Sequence, residues 1–164
     1  MRLVAHADTS NGARLADLPV PTMLIVEDEP SIAQAIARLC TRDGYQVELA
    51  GNGQEALEAC QRRAYTHILC DLWMPTLDGR GFYHALQCCQ PQLCARVVFC
   101  TGDTLTPDLQ TFLAHTGLPV LTKPFTAACV RRLLRRAERG GTPEDRASVA
   151  CVPQGRATGT RCAP

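Results

Sequence analysis

Five short apolar runs, each followed by turn chemistry, constrain this chain more than any other feature. Thr22–Val26 is continuously apolar, the pattern of a strand buried on both faces. Residues 45–50 alternate, with Val47 and Leu49 on one face. His67–Asp71 and residues 96–100 and 118–122 repeat the short apolar form. Between these runs the apolar positions fall at helical spacing. Ile32, Ala35, Ile36 and Leu39 do so within residues 31–40, with Pro30 in the first turn and Asp43-Gly44 as the stop. Ala56, Leu57 and Cys60 do so within residues 54–63. Further helices are expected over 81–90, stopped by Pro91, over 107–115, ended by Gly117, and from Thr126 to about Arg139. Strands alternating with helices predict an α/β fold, a doubly wound five-stranded parallel sheet covered on both faces. The strand order expected for it is 2-1-3-4-5.

The 164 residues suffice for one domain with a sizeable core, and the net charge of +1 gives no overall pull toward nucleic acid or membrane. No apolar run approaches the roughly 20 residues of a membrane span. Residues 1–20 lack the form of a signal peptide and read as a flexible lead, so a cytoplasmic protein is expected. Residues 21–139 form the expected domain. From Gly140 to Pro164 the chain turns to Gly, Pro, Thr, Ala and Arg, and a disordered tail is expected there. The ten cysteines show no C-x-x-C spacing and read as small buried hydrophobes in a reducing compartment, with Cys88 and Cys89 exposed. Arg131, Arg132, Arg135, Arg136 and Arg139 make the last helix basic. Cations are favourable near a helix C-terminus, so this reads as a solvated face rather than a nucleic-acid surface.

The strand ends carry the chemistry. The first run ends in Glu27-Asp28, the third in Asp71, the fourth in Thr101 and the fifth in Lys123, the one lysine beside 16 arginines. The second ends in Leu49-Ala50 and offers nothing reactive, as suits an edge strand. In a parallel sheet all these ends share one edge, and strands 1 and 3 meet at the switch point. Three carboxylates so placed repel and raise one another's pKa. Lys123 or a divalent ion can relieve this, and an all-oxygen site suits magnesium better than zinc. A carboxylate in such a place can attack phosphorus and form an acyl phosphate. Thr101 and Lys123 could then hold the phosphoryl oxygens.

Leu24-Ile25-Val26-Glu27-Asp28-Glu29-Pro30, Asp71-Leu72-Trp73-Met74-Pro75 with Asp78-Gly79, Thr101-Gly102 and Lys123-Pro124-Phe125 resemble the receiver domain of two-component response regulators, across about Pro21 to Arg139. The run Thr101-Gly102-Asp103-Thr104-Leu105 is similar to receivers attached to hybrid sensor kinases. The resemblance implies a flavodoxin-like receiver fold. It implies that Asp71 accepts a phosphoryl group from a sensor histidine kinase or phosphotransfer protein in a phosphorelay. It implies Mg2+ held by Asp28, Asp71 and the backbone carbonyl of Trp73, with Glu27 acting directly or through water. Thr101 and Lys123 match the phosphoryl-contacting pair. Two positions depart from the pattern. Val120 stands where many receivers have an aromatic residue three before the lysine, so backbone or other side chains must carry the signal. Trp73 is bulky for its place beside the acceptor and is expected to hinder the water that hydrolyses the acyl phosphate.

A single-domain regulator signalling through protein contacts is the expectation, because residues 140–164 cannot form a DNA-binding module. An aspartate-nucleophile phosphatase needs a second acid two residues after the nucleophile, and Trp73 occupies that position. An unphosphorylated interaction module of the same fold is the other alternative.

Overall fold

A computed structural model describes residues 20–102 and 106–138, and the side chains of the last three of these are not considered. The expected lead, the tail, Asp103-Thr104-Leu105 and Arg139 lie outside the described residues. The element order is β1 (Thr22–Val26), α1 (Pro30–Arg42), β2 (Gln46–Ala50), α2 (Gly53–Arg62), β3 (His67–Asp71), α3 (Gly79–Cys89), α4 (Pro91–Cys94), β4 (Val97–Thr101), α5 (Pro107–Thr116), β5 (Val120–Thr122) and α6 (Ala127–Glu138). The strands form one sheet in the order β2-β1-β3-β4-β5, every pairing parallel.

Sheet periodicity divides the core into two layers. Leu24, Val26, Ile68, Cys70, Val97 and Phe99 face α2, α3 and α5, where they meet Ala56, Phe82, Leu86 and Phe112. Met23, Ile25, Leu69, Val98, Cys100 and Leu121 face α1 and α6, where they meet Ile36, Cys40, Val130 and Leu133. Met23 through Val26 are each at most 1% exposed. A buried side chain of this kind contributes about 1.5–3 kcal/mol. This explains why β1, an interior strand between β2 and β3, shows an unbroken apolar run rather than an alternating one.

The departures from expectation are local. Pro91 ends α3 but also opens the single turn α4, since its fixed φ suits the first position of a helix. That short helix was not anticipated. α3 begins at Gly79 rather than at residue 81, because Asp78 caps it and its Oδ1 accepts the Gly81 N–H at 2.7 Å. α2 starts at Gly53, with the Asn52 side chain accepting from Gln54 and Glu55 at 3.0 Å each. β5 keeps three residues of the five expected; it pairs with β4 alone.

Cys40, Cys60, Cys70 and Cys100 are buried free thiols, while Cys88 and Cys89 are exposed. Cys129 departs from the reduced-thiol expectation, being disulfide-bonded.

Candidate functional site

All reactive strand ends lie on one edge of the sheet. β1 passes directly into Glu27, whose N–H extends the ladder to the Ala50 carbonyl at 3.0 Å. That bond holds Glu27 inside, 5% exposed, and leaves the next residue, Asp28, exposed. β3 ends on Asp71, 7% exposed. One carboxylate oxygen from each of Glu27, Asp28 and Asp71 can be chosen so that all three lie within 4.8 Å of one another. Among the described residues this is the one such acidic, Cys or His cluster. An all-carboxylate set open on the Asp28 side fits a hard divalent cation that retains water ligands.

Lys123 relieves the repulsion. Its ammonium donates to Glu27 Oε2 at 2.7 Å and also to Asp71 Oδ2. The Lys123 N–H donates to the Thr101 carbonyl at 2.6 Å, so the β4–β5 ladder delivers the side chain to the site. The Lys123–Pro124 peptide is cis. Burial pushes the Glu27 carboxyl above its usual range, the bond to Lys123 pulls it back, and the nearby charge of Asp71 pushes it up again. Burial works against the Lys123 ammonium, but its bonds to Asp71 and Glu27 outweigh this and hold its pKa above the ordinary lysine value. Burial also raises the thiols of Cys70 and Cys100, which flank the site and stay protonated. They offer no competing nucleophile.

Thr101 ends β4 and is 1% exposed. Trp73 reaches the site through its backbone, its N–H donating to Asp71 Oδ1 at 3.2 Å, while the residue as a whole is 53% exposed. Val120 is paired with Phe99 and packs on the core layer where Phe99, Tyr83 and Phe112 form an aromatic cluster, with ring centroids 5.5–5.9 Å apart. The aromatic mass beneath Thr101 thus comes from β4, α3 and α5 rather than from β5.

Two supporting residues were not found from sequence. A Cβ at Gly79 would collide with the Asp71 carbonyl and lie 2.9 Å from Leu72 Cα. Its N–H donates to the Leu72 carbonyl at 3.2 Å. The α3 terminus therefore closes directly under Asp71. Thr76 has φ 69°, and across it the Leu77 N–H donates to the Pro75 carbonyl at 2.8 Å. This is a γ-turn of positive φ, the rarer and strained hand, and a β-branched residue there gives no warning in sequence.

The chain from residue 23 to residue 135 matches the model of the response regulator receiver domain. The chain belongs to this family. The receiver is 31% identical over 127 residues to the probable transcriptional regulatory protein TcrX of Mycobacterium tuberculosis, covering 75% of this chain and 53% of that protein. It is 33% identical to the transcriptional regulatory protein DltR of Streptococcus agalactiae, covering 64% of this chain and 46% of DltR. The chain thus spans about half the length of these curated relatives. Among solved structures, the receiver is similar to the chemotaxis protein CheY4 of Vibrio cholerae, with 29% identity, TM-score 0.66, and coverage of 73% and 99% of the two chains. It is also similar to the receiver domain of sensor histidine kinase PA1611 of Pseudomonas aeruginosa, a structure with a magnesium ion coordinated in its active-site cleft. There the identity is 28%, the TM-score 0.64, and the coverage 72% and 97%. Among the described residues no helix is long and apolar enough to cross a membrane.

Proposed function

We propose that this receiver takes a phosphoryl group onto Asp71 from the phosphohistidine of a sensor kinase or phosphotransfer protein, in a magnesium-dependent relay. The observation that carries this reading is the meeting of Glu27, Asp28 and Asp71 with Lys123 at one sheet edge. The magnesium in the cleft of the PA1611 receiver supports the ion's identity.

Glu27, Asp28 and Asp71, with the Trp73 carbonyl, are the residues that would hold magnesium. When bound, the ion supplies positive charge to offset that of the phosphoryl oxygens. An Asp71 carboxylate oxygen attacks phosphorus, the P–N bond to the donor imidazole breaks, and its electron pair returns to the imidazole. Lys123 brings a full positive charge to the phosphoryl oxygens, and the Thr101 hydroxyl donates to one of them. Phosphorylation adds roughly two negative charges in a small buried space. Thr101 is drawn toward them, and the backbone bond from Lys123 to Thr101 couples this to β5. The face formed by α5, β5 and α6 then changes and selects a protein partner.

Intact mass after mixing the protein with magnesium and acetyl phosphate tests this, beside Asp71→Asn. A magnesium-dependent gain of one phosphoryl group, absent in the variant, is expected. No gain from acetyl phosphate or from a phosphorylated histidine kinase would leave the chain an interaction module of receiver fold. Steady turnover of a phosphate ester would instead make it a phosphatase.

A further inference from the structure

The layer of α1 and α6 is decorated with arginine: Arg38 and Arg42 on one helix, Arg131, Arg132 and Arg135 on the other. α1 contains no acidic residue, and its C-cap, Asp43, is the acid that meets these arginines. Arg131 Nε donates to Asp43 Oδ2 at 2.6 Å. Arg135 and Arg42 also lie near enough to help Arg131 hold the Asp43 carboxyl below its usual range. One carboxylate therefore faces three guanidinium groups. Beside it opens a cleft of about 220 Å³, lined by Pro21, Asp43, Tyr45, Arg131, Leu134 and Arg135. Pro21 precedes β1 and Tyr45 precedes β2, so the cleft lies at the edge of the sheet opposite the acidic site. The length of β1, about 17 Å at the usual rise per residue, separates the two.

We propose that this cleft is a binding site for a phosphate dianion, held between Arg131 and Arg135. Within the cleft Arg131 and Arg135 outnumber Asp43 by one positive charge, and Arg42, outside its lining but near Asp43, adds a second, so the local balance suits a dianion. The guanidinium fork suits the tetrahedral oxygens of phosphate and can bind two of them at once. Pro21, Tyr45 and Leu134 give the cleft apolar walls, which strengthen a charge pair relative to one in open water. Asp43 is the internal competitor: it occupies Arg131 until an anion shares that fork.

The test is a titration of the isotopically labelled full chain with inorganic phosphate, followed by amide shifts, with chelator present so that no metal bridges phosphate to the acidic cluster. Chloride and acetate at matched ionic strength serve as controls. Saturable shifts at Tyr45, Asp43, Arg131 and Arg135, seen with phosphate alone, are expected. Arg135→Gln should weaken binding about tenfold, the loss of one charge-assisted hydrogen bond. Arg135 is exposed, so that variant should keep the native spectrum elsewhere. Asp43→Asn should tighten binding severalfold, because it removes the competitor. A parallel titration with O-phosphoserine separates the sources: tighter binding than phosphate assigns a phosphorylated side chain, weaker binding assigns the free ion. Linear shifts shared by chloride or acetate, indifference to Arg135→Gln, or weaker binding in Asp43→Asn would overturn the proposal.

Discussion

Replacing Lys123 with methionine removes the cation that bridges two buried carboxylates while keeping most of the side-chain volume. The Lys123 side chain is 20% exposed, against 4% and 9% for the side chains of Glu27 and Asp71, so little water can take over its role. Removing one partner of a buried ion pair costs about 3–5 kcal/mol; the opening at Asp28 lets water in and favours the lower end, so a loss of about 3 kcal/mol is expected at neutral pH without divalent ions. That is a large share of the roughly 5–15 kcal/mol of a folded domain. The sign of the pH dependence follows from Glu27, whose pKa is raised by burial and by Asp71 even with Lys123 present. A carboxyl with a folded pKa above its unfolded one binds more protons in the folded state, so stability falls as pH rises through that window. Without the ammonium the rise is larger, and the deficit of Lys123→Met should therefore shrink as the pH is lowered from neutral toward 5. At the alkaline end, the stabilising Lys123 charge is fully present below its unfolded pKa near 10.5 and is lost as pH climbs through the higher folded value. The two proteins should converge there. Urea unfolding in chelator, with midpoints read at several pH values and unchanged slopes, measures all of this. A difference below about 1 kcal/mol that does not vary with pH, the size of an exposed pair, would refute the claim that these carboxylates are desolvated.

Thr76→Gly should stabilise the fold by about 0.5–1 kcal/mol, the left-handed penalty of a β-branched residue less the added freedom of glycine when unfolded; urea midpoints check it, and an equal gain from Thr76→Ala would show that φ is not the cause. Gly79→Ala should cost at least about 2 kcal/mol, because backbone meets the new Cβ from β3 and neither side can yield cheaply. It should also slow phosphoryl uptake by displacing Asp71. Trp73→Asn should lose its phosphoryl group faster than the parent, as followed by intact mass over time; equal lifetimes would show that the indole does not restrict water.

The sheet and its order were readable because the strand runs are short, strongly apolar and separated by clear helical spacing. The placement of Asp71, Thr101 and Lys123 was readable for a related reason: each is a polar residue ending an apolar run, and parallel topology sends such ends to one edge. What escaped was local backbone geometry. Pro91 marks both a stop and a start, and sequence alone shows the stop. The positive φ of Thr76 is imposed by how Pro75 and Leu77 are held, against the preference of threonine itself. The closeness of Gly79 to Asp71 depends on the α3 docking angle, which no pattern of apolar residues specifies.

Lys123 is also the one lysine of the chain, so it carries the one side-chain amine. Within these 164 residues, a reagent that acylates side-chain amines has one target, in the heart of the acidic cleft. On the proposed function, acetylation of Lys123 would block phosphoryl uptake without touching Asp71, rather than decorate the surface. The same arrangement makes acylation kinetics a direct gauge of cleft occupancy. A nucleophilic free amine is scarce while two carboxylates hold the proton on it, and whatever loosens their grip should show as faster labelling at a single, unambiguous position.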